Sequence, residues 1–121
     1  MDAKELQSRV IKFRDERDWA QYHNPKDLAI SLSLEASELL EVFQWKNTEQ
    51  VDALKSDPKI CLRVKEELGD IFIYALTLAH EFGFDPAELV MEKVDTNEKK
   101  YPADRVRGKA DKYTAYEDSN E

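Results

Sequence analysis

The chain has 121 residues, 36% of them charged, with 26 acidic against 18 basic side chains and a formal net charge of −8. That length suits one domain with a real but modest core. The acidic balance excludes DNA or RNA binding by broad phosphate neutralisation, which needs a basic face, and any phosphate ligand would need local cations to offset the general repulsion.

Three glycines and four prolines punctuate a helical pattern. A first helix is expected over residues 3–18, with Leu6, Val10 and Phe13 on one apolar stripe. Asn24-Pro25 is a cap followed by proline in the first turn. It opens a second helix to about residue 45, with Leu28, Leu32, Leu39, Val42 and Phe43 facing inward. Residues 48–56 are expected to hold a short helical turn. Asp57-Pro58 starts a long helix that ends near Phe82-Gly83. Asp85-Pro86 repeats the signal, and that helix is expected to reach about residue 100. No strand-like alternation competes, so the fold class expected is all-α, with four main helices. The chain divides into a helical domain over 1–101 and a polar tail over 102–121, expected to be irregular. Asp104 to Tyr113 carries Arg105, Arg107, Lys109 and Lys112 against Asp104 and Asp111, so it is locally basic. It reads either as a solvated tail or as an arm that reaches a phosphate or a neighbouring acidic subunit.

Cys61 is the only cysteine, which excludes an intrachain disulfide framework. Between Ile60 and Leu62 it reads as a small core hydrophobe. No charged-then-apolar leader opens the sequence, and the longest apolar stretch, 71–79, contains Thr77 and is too short to span a bilayer. A soluble, cytoplasmic protein without membrane partners is expected.

Two carboxylate pairs at one spacing dominate the chain: Glu35-Ala-Ser-Glu38 and Glu67-Leu-Gly-Asp70. Residues three apart share a helix face, so each pair aims two acids at one patch of space. On the second helix, Leu28, Leu32, Glu35, Leu39 and Val42 follow one inward stripe. On the third, Ile60, Val64, Glu67, Ile71, Tyr74 and Leu78 do the same. Glu35 and Glu67 thus occupy positions where apolar residues belong, and an uncompensated carboxylate there is costly. Like charges about 4 Å apart repel by about 4 kcal/mol at an effective dielectric near 20. Four converging carboxylates therefore call for protonation or a cation. Hard oxygen donors in this number suit Mg²⁺, with Mn²⁺ as a substitute. Calcium fits less well, because no loop of closely spaced acids appears. Glu41 and Glu66 extend the two rows and read as surface acids, with a base or outer-shell role as the alternative.

The segment 34–45, LEASELLEVFQW, followed by 66–74, EELGDIFIY, resembles the ExxE…ExxD signature of the MazG-like nucleotide pyrophosphohydrolases, and most of all their small dCTP pyrophosphatase and integron-type MazG branch. Glu16-Arg-Asp-Trp-Ala-Gln-Tyr-His23 and the stretch 97–102 extend the likeness over residues 5–115. The resemblance implies an enzyme that cleaves a nucleoside triphosphate between its α and β phosphates, giving a monophosphate and pyrophosphate, with dCTP or a related dNTP as substrate. By motif position Glu35, Glu38, Glu67 and Asp70 would bind Mg²⁺, with Glu38 the residue that orients or deprotonates the attacking water. Trp19, Tyr22, His23, Trp45 and Tyr74 would meet the base. Lys93, Asn97, Lys100 and Tyr101 would meet the phosphates. The resemblance also implies a homodimer or homotetramer, with which the nearly all-round apolar stretch 71–79 agrees. A four-helix di-iron carboxylate protein would want Glu-x-x-His, but His23 and His80 are preceded three residues back by Ala20 and Thr77. The remaining alternative is a non-enzymatic helical interaction module, which predicts no triphosphate turnover.

Overall fold

The computed structural model describes residues 1–108. Its elements are all helical: α1 (Ala3–Glu16), a 3₁₀ turn (Ala20–Tyr22), α2 (Pro25–Phe43), α3 (Thr48–Leu54), α4 (Pro58–Glu81), α5 (Pro86–Lys100) and α6 (Ala103–Val106). No strand occurs among the described residues, so the fold class is all-α as expected. Two compact units divide the chain, Met1–Phe84 and the segment from Asp85 onward.

Side chains accept from orphan amides at the starts of α1 to α5. Asp2 accepts from the Glu5 amide at 2.8 Å, Asn24 from Asp27 at 2.9 Å and Asp85 from Glu88 at 3.0 Å. Asp57 accepts from Lys59 at 2.9 Å. Asn47 and Gln50 exchange side-chain and backbone bonds in a capping box, both at 2.9 Å. Proline opens α2, α4 and α5, where its missing N–H costs nothing. The end of α4 is a Schellman closure: Gly83 at φ 70°, the Phe84 amide on Ala79 O at 2.9 Å and the Gly83 amide on His80 O at 3.0 Å. The end of α1 closes the same way, with Asp18 at φ 55° and the Trp19 amide on Arg14 O at 3.1 Å.

Within the first unit, α4 is the central element, packed chiefly by α2 and also by α1. Leu28 and Val42 are buried at either end of the α2 stripe, and Ile11 of α1 and Thr77 and Ala79 of α4 complete a small core. Leu32, Leu39 and Phe43 are half-buried along the same stripe. Many large apolar side chains stay exposed, among them Leu34, Leu40, Leu62 and Phe72, a level of apolar exposure that a chain packed only against itself does not relieve.

Three expectations change. The buried face of α1 carries Gln7, Ile11 and Arg14, whereas Leu6 and Phe13 are exposed. The helix is turned by one residue because its polar side chains find partners on the end of α4. The Gln7 amide donates to Leu76 O at 3.1 Å and Phe84 O at 3.4 Å, and Arg14 Nη1 donates to Glu81 Oε1 at 2.5 Å. Phe13 packs instead edge-on against Trp19, ring centroids 5.7 Å apart, with the Arg17 guanidinium 3.8 Å above its ring. Cys61 is exposed rather than in the core, its thiol donating to Lys55 O at 3.1 Å. The start of the polar tail is a helical turn, α6, because Pro102 O accepts from Arg105 and Val106 at 2.9 and 3.1 Å. Lys109, Asp111, Lys112 and Tyr113 of the basic stretch lie outside the described residues.

Candidate metal centre and its adjoining cleft

Glu41 on α2 meets Arg63 on α4, and Glu35 meets Glu67, so the two helices run antiparallel where they pack. That packing carries the two acidic intruders together. Glu35 and Glu67 are half-buried and Glu38 is exposed, and one carboxylate oxygen from each of the three lies within 4.8 Å of the others. The Glu35 carboxyl is pushed up to about 7. Hydrogen bonding to Glu67 is the largest cause, then burial, then a hydrogen bond to Glu38, with the charges of Glu38 and Asp70 adding to it. The neighbouring acids thus favour the protonated form of Glu35.

Even so, Glu35 Oε2 and Glu67 Oε2 are buried with no hydrogen-bond partner. Buried carboxylate oxygens with nothing to accept from are rare and demand an explanation. A bound cation supplies one, and three clustered oxygen donors without sulfur or imidazole suit a hard metal ion. Asp70 is exposed and stands outside the three-residue group, close enough to bias Glu35 electrostatically. Glu41 forms an exposed ion pair with Arg63 at 3.4 Å, and Glu66 is exposed.

Asp70 also borders a cleft of about 260 Å³ shared with Val10, Phe13, Arg14, Trp19, His23, Ile73, Tyr74 and Thr77. Trp19, His23 and Tyr74 therefore gather in one place, beside an acid of the second pair. His23 Nδ1 is buried there without a partner. Tyr22 is exposed in the 3₁₀ turn and does not line this cleft. Trp45 follows α2 at φ 71°, a conformation bulky residues rarely adopt, and is 91% exposed. Lys93 and Asn97 are exposed on α5, with Lys100 and Tyr101 half-buried at its end, all in the second unit. His80 lines a different groove beside α1, so no histidine joins the acids among the described residues.

Arg14 and Phe13 escaped the sequence reading of the site. The available signal was polar: Gln7 and Arg14 lie seven residues apart, on one helix face, and both are buried.

An all-α unit thus seats a carboxylate cluster that could hold a metal ion between two packed helices, with an aromatic cleft beside it. Residues 30–115 match the model of the MazG-like family, and the chain belongs to that family. It is 42% identical over 103 residues to dCTP pyrophosphatase 1 of Bos taurus and 38% identical over 103 residues to that of Homo sapiens; both alignments cover 85% of this chain. The chain spans 61% of the length of these relatives. A crystal structure of a pyrophosphatase from Archaeoglobus fulgidus superposes with a TM-score of 0.72 at 42% identity, covering 81% of this chain and 90% of the other. No described helix is long and apolar enough to cross a membrane.

Proposed function

We propose that this chain is a Mg²⁺-dependent nucleoside triphosphate pyrophosphohydrolase that converts deoxynucleoside triphosphates, dCTP foremost, into the monophosphate and pyrophosphate. One observation carries the reading: Glu35 and Glu67 are pressed together with unpartnered buried oxygens, in a family whose relatives are named dCTP pyrophosphatases. The residues present fit a divalent cation, and Glu35, Glu38, Glu67 and Asp70 would hold it. When bound, Mg²⁺ neutralises triphosphate charge and raises the acidity of a coordinated water; Mn²⁺ serves as a substitute.

The protein's own part is positioning and proton handling. Glu38, the exposed member of the cluster, orients the attacking water and takes its proton as the oxygen adds to the α phosphorus. The bond to the bridging oxygen then breaks and pyrophosphate leaves, with no covalent intermediate. Trp19 and Tyr74 wall the cleft that takes the base, with His23 offering an edge contact. Tyr22 and Trp45 are assigned to the base, and Lys93, Asn97, Lys100 and Tyr101 to the phosphates, on motif position alone. The exposed apolar faces of α2 and α4 favour a homodimer or homotetramer. A cytoplasmic role in cleaning the nucleotide pool, with no nucleic-acid partner, follows from the same reading.

The test is a panel of dNTPs with and without Mg²⁺, resolving pyrophosphate from orthophosphate, alongside Glu38→Ala and Asp70→Ala. Mg²⁺-dependent pyrophosphate release, abolished in both variants, is expected. Orthophosphate alone, or unimpaired variants, overturns the mechanism, and absence of all turnover would leave the helical interaction module standing.

A further inference from the structure

We infer that Arg14 selects the base: its guanidinium borders the cleft of Trp19, His23 and Tyr74, and its remaining nitrogen, Nη2, donates to the N3 acceptor of a cytosine ring. The inference rests on the proposed function and narrows it to a base edge.

Arginine is seldom buried without partners, and Arg14 is only 7% exposed. Two of its three guanidinium nitrogens are spent within the protein. Nε donates to Asp15 Oδ1 at 3.0 Å and Nη1 to Glu81 Oε1 at 2.5 Å. Nη2 has no hydrogen bond to any described residue. Two carboxylates thus hold the fork in place and offset its charge. A side chain held that firmly loses little entropy when it binds a ligand.

The surroundings suit a base more than a phosphate. Phe13, Val10, Ile73 and Trp19 supply apolar and aromatic wall, and the Trp19 backbone N–H donates a hydrogen bond to the Arg14 carbonyl. With Nε and Nη1 engaged, Nη2 offers a single donor that needs a bare acceptor on the base edge. Cytosine presents such an acceptor at N3, whereas thymine and uracil place an N–H there. His23 Nδ1, buried and unpartnered on the same cleft, accepts in its Nε2–H tautomer and so complements the cytosine amine. A donor from Arg14 and an acceptor from His23 match cytosine and clash with thymine.

The experiment compares Arg14→Gln and Glu81→Gln with the wild type in two assays: kcat/KM for dCTP and dTTP, and calorimetric titration with deoxycytidine and thymidine. Arg14→Gln keeps the backbone carbonyl that anchors Trp19, and Glu81→Gln keeps an acceptor for Nη1. Arg14→Gln is expected to cut the dCTP-to-dTTP ratio about tenfold, through KM, which corresponds to about 1.4 kcal/mol. Glu81→Gln should lower thermal stability and leave the ratio unchanged. Equal losses on both nucleotides, or the same ratio in Arg14→Gln as in the wild type, overturns the inference. If the wild type hydrolyses neither nucleotide, the proposed function fails, and the nucleoside titrations still decide the role of Arg14. Thymidine bound as tightly as deoxycytidine by the wild type refutes it.

Discussion

Glu35 and Glu41 stand on the same helix, and both reach across to α4, yet they meet opposite partners. Glu41 finds Arg63 at 3.4 Å, in the open. Glu35 finds another acid, Glu67, with buried oxygens left unpaired. Both contacts are imposed by one helix packing, so the difference lies in what completes the charge. At Glu41 the chain brings its own cation. At Glu35 it holds an electrostatic deficit that only a proton or an external cation can fill, and that deficit is what a binding site costs a fold.

The strongest way to break this contrast is to remove the deficit. Glu67→Ala is expected to lower the proposed turnover by more than about a hundredfold, beyond the 10–100-fold typical of outer-shell partners. The same change should raise the thermal midpoint of metal-free protein by about 4 °C for each 1 kcal/mol of repulsion relieved. Steady-state kinetics and thermal melts in EDTA read the two effects. An acid that was merely decorative would move neither.

Acidity sharpens the comparison next. The folded value for Glu35, about 7, lies above its ordinary 4.5. The folded state therefore binds more protons than the unfolded one between those values, so this group's contribution to stability is full below about pH 4.5 and is lost as the pH rises through about 7. A cation competes with that proton. The rise in thermal midpoint on adding Mg²⁺ should accordingly be largest above pH 7 and shrink towards pH 5, and Glu35→Gln should flatten it. A Mg²⁺ shift that ignores pH in the wild type contradicts the shared-proton cluster.

How much of this could be read from the residues depended on whether the signal was periodic or reciprocal. Helix starts were legible because Asn24-Pro25, Asp57-Pro58 and Asp85-Pro86 state their chemistry locally. Glu35 and Glu67 were legible because an acid on an apolar stripe breaks a period. The face of α1 was not. Leu6 and Phe13 make the better stripe on paper, but Gln7 and Arg14 are satisfied only by Leu76, Phe84 and Glu81, roughly seventy residues away. Partners that distant leave no local mark, and the place of Arg14 on the cleft stayed hidden with them.

That long-range pair gives a third, smaller prediction. Arg14 is buried and Glu81 partly exposed, with side chains 8% and 29% accessible. Glu81→Ala strands much of a buried positive charge, which in fully buried pairs costs about 3–5 kcal/mol. With Asp15 still in place and Glu81 partly solvated, about 1–2 kcal/mol is expected here. Chemical denaturation measures it as a lower midpoint at unchanged slope. A neutral result would mean that Asp15 alone suffices to hold the guanidinium.

The smallest expected effect belongs to Arg63→Ala, and its value lies in being small. Arg63 and Glu41 are 45% and 63% accessible, so solvent screens them and side-chain entropy offsets most of the attraction. Stability should change by less than about 0.5 kcal/mol, and Mg²⁺ dependence not at all, although the change sits on the same two helices as the acid cluster. If Arg63→Ala instead altered metal affinity several-fold, the cation would be sensing charge along the whole α2–α4 seam. The boundary drawn between a self-neutralised contact and one that awaits an ion would then be wrong, because both would belong to one extended electrostatic unit.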